Sequence, residues 1–202
     1  MEENKKNKVP NVPNLGNVSY AKLKDISDVI TKGTTAKNFL GSGINFIKIE
    51  TIKTRTTLSD KISYISKEEH KTFLKRSILK EGDILFSIAG ALGIVHIIQK
   101  NEVPANTNQA LSIIRLKNKE KIEYVSWFLE SPIISKMIRE LKSIGAQPNL
   151  SLEQVGNIRI PMHQDIELET NIVNLLNRIQ QRIETQNKII KEHNSYIFSL
   201  CF

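Results

Sequence analysis

Four histidines, one cysteine and scattered carboxylates are the residues that could ligate a metal or move a proton, and their spacing argues against most of that chemistry. His70, His96, His163 and His193 stand too far apart for a metal-ligand motif, and Cys201 alone forms neither a zinc site nor a disulfide framework. His96 lies in an apolar run, where a histidine is expected to be a satisfied core residue. A P-loop needs a glycine-rich turn ending in Gly-Lys-Ser/Thr; Gly90-Ala91-Leu92-Gly93 lacks the lysine and leads into a strand, so it reads as a tight connection. Asp60 with Glu69 and Lys71 would be the carboxylate-plus-lysine set of a metal-dependent nuclease. However, Glu69 and Lys71 fall on a capped helix, where a carboxylate in the first turn is explained by the helix dipole. No two carboxylates have a spacing that suggests general acid–base work, and no Gly-x-Ser-x-Gly elbow occurs. The chain is expected not to be an enzyme, and to hold no metal or cofactor of its own.

Charge points elsewhere. The 202 residues carry a net charge of +8. Residues 165–202 hold four Lys/Arg against five Asp/Glu, whereas residues 1–164 hold 25 against 16. The excess therefore sits in the first part of the chain, which suits a phosphate-rich partner; a solvated basic surface is the plain alternative. No run approaches the ~20 apolar residues of a membrane span, and the start Met1-Glu2-Glu3-Asn4-Lys5-Lys6 lacks a signal peptide's apolar core, so a cytoplasmic protein is expected.

The elements that would carry these residues fall into three segments. Residues 1–18, with Pro10, Pro13 and Gly16, read as a mobile arm. Residues 19–164 alternate short apolar runs with turn signals. Strands are expected at 44–49, 83–89, 94–98, 111–116 and 157–160. Ser66 with Glu69 predicts a capped helix over 67–76, helical stretches follow from Tyr124 and from Ser131-Pro132, and Ser151 with Gln154 forms a second capping box. Strands in the middle with helices around and after them argue an α+β fold. Trp127 and Phe128 read as core residues. In residues 165–202, Ile172, Leu176, Ile179, Ile183, Gln186, Ile190, His193, Ile197 and Leu200 recur at alternating spacings of four and three. That is a coiled-coil seam, a stripe too narrow for a helix sunk in a core, and it calls for a partner. Gln186 and His193 are polar seam positions of the kind that fix register.

Specific residues then look familiar. Gly82-Asp83-Ile84-Leu85-Phe86-Ser87, Gly90 with Gly93, and Asn108-Gln109-Ala110 resemble the target-recognition domain of type I restriction–modification specificity subunits. Gly145-Ala-Gln-Pro-Asn-Leu-Ser151, Ile158-Arg-Ile-Pro161 and the long final helix match the later part of that pattern, and Lys22-Leu23-Lys24-Asp25-Ile26 its opening. The resemblance spans about 20–202. It implies a globular, mixed α/β recognition domain followed by a long coiled-coil helix, with no catalysis of its own. It also implies double-stranded DNA as ligand, a modification (methyltransferase) subunit and a restriction subunit as partners, and S-adenosylmethionine and ATP only on those partners. Usual members carry two domains and two helices; here there is one of each, so a homodimer through antiparallel helices is expected to rebuild the clamp. At 1.5 Å per residue a helix from Glu169 to Leu200 is about 48 Å long, enough to separate two recognition domains by about one DNA turn, ~34 Å. The sequence departs from the family at His163-Gln164 and Glu167-Leu168-Glu169, where the family has further prolines and a Glu-x-Gln.

Direct readout needs Arg, Lys, Asn or Gln on loops, with Ser/Thr on phosphates. The candidates are Lys53 and Arg55 among Thr51, Thr54, Thr56 and Thr57; Lys32, Thr34 and Lys37; and Gln147 with Asn149. The competing reading is a non-catalytic coiled-coil adaptor whose basic surface is incidental.

Overall fold

The structure is a computed structural model that describes residues 18–142 and 149–200, without the side chains of 141–142 and 196–200. The described chain divides between Met162 and His163 into two compact units.

The first unit is built on two four-stranded sheets. One runs in the order β2 (Ser27–Lys32), β11 (Leu111–Leu116), β8 (Ile84–Ser87), β9 (Val95–Ile97), every pair antiparallel. The other runs β6 (Ser63–Ile65), β3 (Ile44–Ile47), β10 (Ala105–Thr107), β7 (Ile78–Leu79), with β3 and β10 parallel. Leu85, Leu111 and Ile113 of the first sheet bury themselves with Ile47, Leu79 and Ala105 of the second, so the main core is an apolar layer shared by both. A second cluster, Ala36, Ile44, Phe46, Ile65 and Leu74, lies on the β3–β6 side. Two ribbons complete the unit: β1 (Ser19–Lys22) pairs with β12 (Arg159–Met162), joining its two ends, and β4 (Ile52–Thr54) pairs with β5 (Thr57–Leu58) as a short hairpin. Helix α1 (Lys67–Lys71) follows β6, α2 (Ile122–Leu129) packs on β8 and β9, and α3 (Pro132–Lys142) and α4 (Leu152–Gly156) follow.

The mixed α+β class is as expected, and its local signals hold where they are strong. The strand 111–116 keeps its boundaries. Ser151 and Gln154 form the reciprocal box, each side chain bonded to the other's backbone N–H (2.8 and 3.1 Å). Elsewhere the boundaries move. The Ser66 hydroxyl accepts from Glu69 N–H (3.0 Å), but the Glu69 carboxylate accepts from Lys37 N–H (3.1 Å). Helix α1 stops at Lys71, where Thr72 leaves helical geometry, and a separate 3-10 turn covers Lys75–Ser77. Pro161 does not end the last strand but lies inside β12, opposite Tyr20.

Motif residues hold turns. Asp83 accepts two parallel hydrogen bonds from Arg115 on β11 (2.7 Å each) and one from Lys80 N–H (2.8 Å), tying the turn before β8 to its neighbour. Ser87 Oγ donates to Ala91 O (2.5 Å) and accepts from Ile94 N–H (2.7 Å), closing the Gly90–Gly93 connection. Gly33 is required by crowding: a Cβ there would lie 2.1 Å from Asn108 O and 2.3 Å from Thr107 O.

The second unit is helix α5, Ile166–Leu200, whose 35 residues span about 52 Å at 1.5 Å each. Asp165 Oδ1 accepts from Glu167 N–H (2.8 Å) and Leu168 N–H (3.3 Å), and Glu169 Oε1 accepts from His163 N–H (3.0 Å). Asp165 thus caps this helix, and Glu169 ties its first turn back to the chain that enters it.

Candidate nucleic-acid interface

Lys53 and Arg55 sit on one hairpin and do different things. Lys53, on β4, is exposed. Arg55, at the turn, is only 7% exposed. Its guanidinium pairs with Glu123 and with Glu130 (Nε to Oε2, 3.4 Å), donates to Ser126 Oγ (3.0 Å) and lies 3.9 Å above the Trp127 ring. All four partners belong to α2 or the residue that follows it. The expectation that Arg55 faces DNA is therefore corrected: its charge is turned inward, onto two carboxylates and an indole. Trp127 is half-buried, not sunk in the core, because one face serves Arg55 and it also lines a cleft.

Two backbone anchors complete the mount. Arg55 O accepts from Ile97 N–H (2.7 Å), and Thr54 O faces His96 Nδ1 (3.0 Å). His96 Nε2 lies 2.9 Å from Glu102 Oε2, which also accepts from Gln99 N–H (2.9 Å). His96 is thus the satisfied core histidine the sequence suggested, and it holds the hairpin. Beside the hairpin lies an open cleft of about 510 Å³ lined by Ile52, Lys53, Thr54, Gly93, Ile94, Val95, Trp127 and Glu130. Burial pushes the Glu130 carboxyl above its usual range; Arg55 opposes the shift and Glu123 adds to it.

The second group of candidates lies where β2 runs out. Lys32 ends the strand, exposed. Thr34 N–H donates to Thr107 O (2.9 Å), and its Oγ1 accepts from Arg76 Nη2 (3.4 Å). Thr35 Oγ1 donates to Gln109 Oε1. Lys37 is exposed, with Nζ 4.7 Å from the centre of the Phe73 ring. Further on, Lys48 Nζ lies 4.1 Å from the centre of the Phe39 ring. Phe39, Leu40 and Phe73 are about half exposed, at 47%, 48% and 49%. Sequence reading passed over these apolar residues and over Lys48 and Arg76. The available signal was Phe39-Leu40 sitting between Lys37 and Gly41-Ser42-Gly43, a loop composition and not a strand. Asn149 is exposed; Gln147 lies outside the described residues. Among the described residues no group of three His, Cys, Asp or Glu side chains could hold a metal ion.

On α5 the middle of the seam is exposed in the single chain: Ile179, Ile183 and Ile190 are 48%, 47% and 56% accessible, and Gln186 and His193 are open too. Ile172 and Leu176 are half-buried, and the side chains of Ile197 and Leu200 lie outside the described residues. The stripe is also wider than expected. Leu168, Leu175 and Ile189 are exposed too; successive members fall seven and fourteen residues apart, and Leu175 and Ile189 lie one position N-terminal to the Leu176 and Ile190 seam sites.

Comparison with known proteins decides the family. Residues 16–194 match the type I restriction modification DNA specificity domain. The chain belongs to that family. Over that span it is a type I restriction modification DNA specificity domain. It is 27% identical over 156 residues to the type I restriction enzyme EcoBI specificity subunit of Escherichia coli, covering 76% of this chain and 31% of that one. Its fold is similar to a chain from a solved type I R-M system (TM-score 0.64, 19% identity, 95% of this chain and 45% of that one). It is similar also to the HsdS subunit of Thermoanaerobacter tengcongensis (TM-score 0.60, 17% identity, 87% of this chain and 40% of that one). The chain thus spans less than half the length of these relatives. Among the described residues, no helix is long and apolar enough to cross a membrane.

Proposed function

We propose that this specificity domain reads one half of a split duplex sequence, pairs with a second copy through antiparallel α5 helices, and recruits a methyltransferase subunit and a restriction subunit. The observation that carries the pairing is the exposed apolar stripe of α5, with Ile179, Ile183 and Ile190 each about half open to solvent in a capped, 35-residue helix. Isolated helices draw most of their stability from a packed face, so such a stripe calls for a mate. Two copies related by a two-fold axis would read an inverted, interrupted repeat. The extra exposed positions Leu168, Leu175 and Ile189 widen the stripe beyond what one mate covers in a two-stranded coil, leaving room for a helix of the modification subunit. S-adenosylmethionine and ATP are expected on the partner subunits, not here.

DNA contacts are assigned to Lys53 on its mounted hairpin and to Lys32, Thr34 and Lys37 on the loop after β2, with Asn149 as a further exposed amide. Charge supports this: ten Lys/Arg stand against four Asp/Glu between positions 32 and 76. Sedimentation of the full chain, with mobility shifts on randomised bipartite duplexes at several salt concentrations, tests both halves. A dimer whose binding falls steeply with salt is expected. A monomer that pairs only with an unrelated coiled coil and ignores DNA would establish the adaptor reading instead.

A further inference from the structure

Among the described residues of the first unit, the large apolar side chains that stand about half open are Phe39, Leu40 and Phe73. They share one neighbourhood. Phe39 packs edge-on against Phe46 (ring centres 5.4 Å apart), and Phe46 is clustered with Leu74, the chain neighbour of Phe73. The open rings are not bare: Lys48 lies over Phe39, and Lys37 over Phe73. Arg76 reaches Thr34 alongside, and Lys71 and Lys75 are exposed on the same α1-to-turn segment. The loop is anchored on one side by Leu40 N–H donating to Tyr64 O (2.8 Å). On the other side Gly41 stands clear, since a Cβ there would meet nothing within 4 Å.

We infer that the Phe39-Leu40 loop is an apolar wedge that enters a groove of duplex DNA, with Lys37, Lys48 and Arg76 taking the flanking phosphates. The inference rests on the DNA-reading function proposed above and adds to it a contact made by carbon, not by hydrogen bonds. Charge selects the occupant: around the apolar centre Lys37, Lys48, Lys71, Lys75 and Arg76 outnumber Glu68 and Glu69, a balance that fits a polyanion whose grooves expose sugar and base faces. Size points the same way, since three apolar side chains are few beside the roughly 20–30 residues a side of a standard protein interface. Apolar wedges of Phe or Leu flanked by phosphate-binding cations act on DNA by pressing between base steps. The lysines resting on the rings would lift to phosphates on binding and free the ring faces for the groove.

The test uses the full chain, a duplex that it selects from a randomised library, and a mixed-sequence duplex as non-specific probe. Leu40→Ser, and Phe39→Ser with Leu40→Ser, are expected to weaken the selected duplex roughly tenfold while leaving the slope of log K against log salt unchanged. Lys48→Ala is expected to reduce that slope by about 0.9. Leu40→Ser guards against a folding artefact because it leaves the Phe39–Phe46 contact in place, and its thermal midpoint is recorded alongside. If both serine variants bind as the parent does while Lys53→Ala weakens binding, the wedge is wrong and the DNA-reading function stands. If they keep DNA binding but no longer co-purify with a methyltransferase subunit, the patch docks protein and the wedge is likewise overturned. If the parent itself binds neither duplex, the failure lies with the underlying function.

Discussion

Replacing Arg55 by methionine keeps an unbranched apolar stem and deletes the guanidinium with its charge. Two carboxylates, one hydroxyl and an indole face then lose their shared partner. Breaking a buried ion pair from one side costs about 3–5 kcal/mol. Here the upper end is out of reach, because the Glu123 and Glu130 side chains are 42% and 31% exposed and regain water once released. Loss of the cation over Trp127 adds about 0.5–2 kcal/mol. A net loss of about 4 kcal/mol follows from the low end of the first term and the second, which at roughly 2–4 °C per kcal/mol for a chain of this size lowers the midpoint by about 8–16 °C. Trp127 is the single tryptophan, so its fluorescence in a urea titration reports from the site itself. Arg55→Lys should recover part of the loss, since an ammonium keeps the charge but neither stacks nor forks as a guanidinium does. Arg55→Met should leave the salt slope of DNA binding as it was, because Arg55 is turned away from solvent. An unchanged urea midpoint together with a slope reduced by about 0.9 would refute the reasoning and return Arg55 to the DNA face.

Three other substitutions test separate joints. Gly33→Ala should cost more than about 3 kcal/mol or abolish folding, because its methyl would sit 2.1 Å from a backbone oxygen; a normal melting curve would show the crowding to be false. Glu130→Gln should gain stability relative to the parent as pH rises. Burial raises the folded-state carboxyl above its unfolded value, so the folded parent binds the extra proton between the two and loses stability as pH climbs through that window; the amide has no such loss. Parallel urea midpoints at pH 4 and pH 7.5 check the sign, and a variant that gains nothing on the way up contradicts it. Ile179→Asp with Ile183→Asp should turn a dimer into a monomer with the Trp127 unfolding signal of the first unit unmoved; a dimer that survives both changes would remove α5 from the interface.

What the sequence made legible was local. Leu111–Leu116 declares itself by Leu111, Ile113, Ile114 and Leu116 within six residues, and the Ser151–Gln154 box closes over a separation of only three residues. The strand from Ile44 stops at Ile47 instead of Ile49 because a 3-10 turn at Ile49–Thr51 follows, closed by Thr51 Oγ1 donating to Lys48 O (2.7 Å). Arg55 turns inward for a non-local reason: its ion-pair partners are 68 and 75 positions away, and nothing near it in the chain announces them. The β1–β12 pairing joins residues some 140 positions apart and is equally silent. Phe39, Leu40 and Phe73 look like core residues in one dimension, and only the fold leaves them open. The spacing along α5 predicts two seam positions per heptad; the exposure of Leu168, Leu175 and Ile189 adds a third in the heptads that do not carry Arg182.

Methylation profiling measures the central proposal most directly: a host expressing this chain with a modification subunit is sequenced for modified adenines. Two copies of one recognition domain on a two-fold axis should mark a single motif that is an inverted repeat with a fixed gap, lost when Ile179 and Ile183 are both changed to Asp. A continuous or asymmetric motif, or marks unaffected by that double substitution, would contradict it.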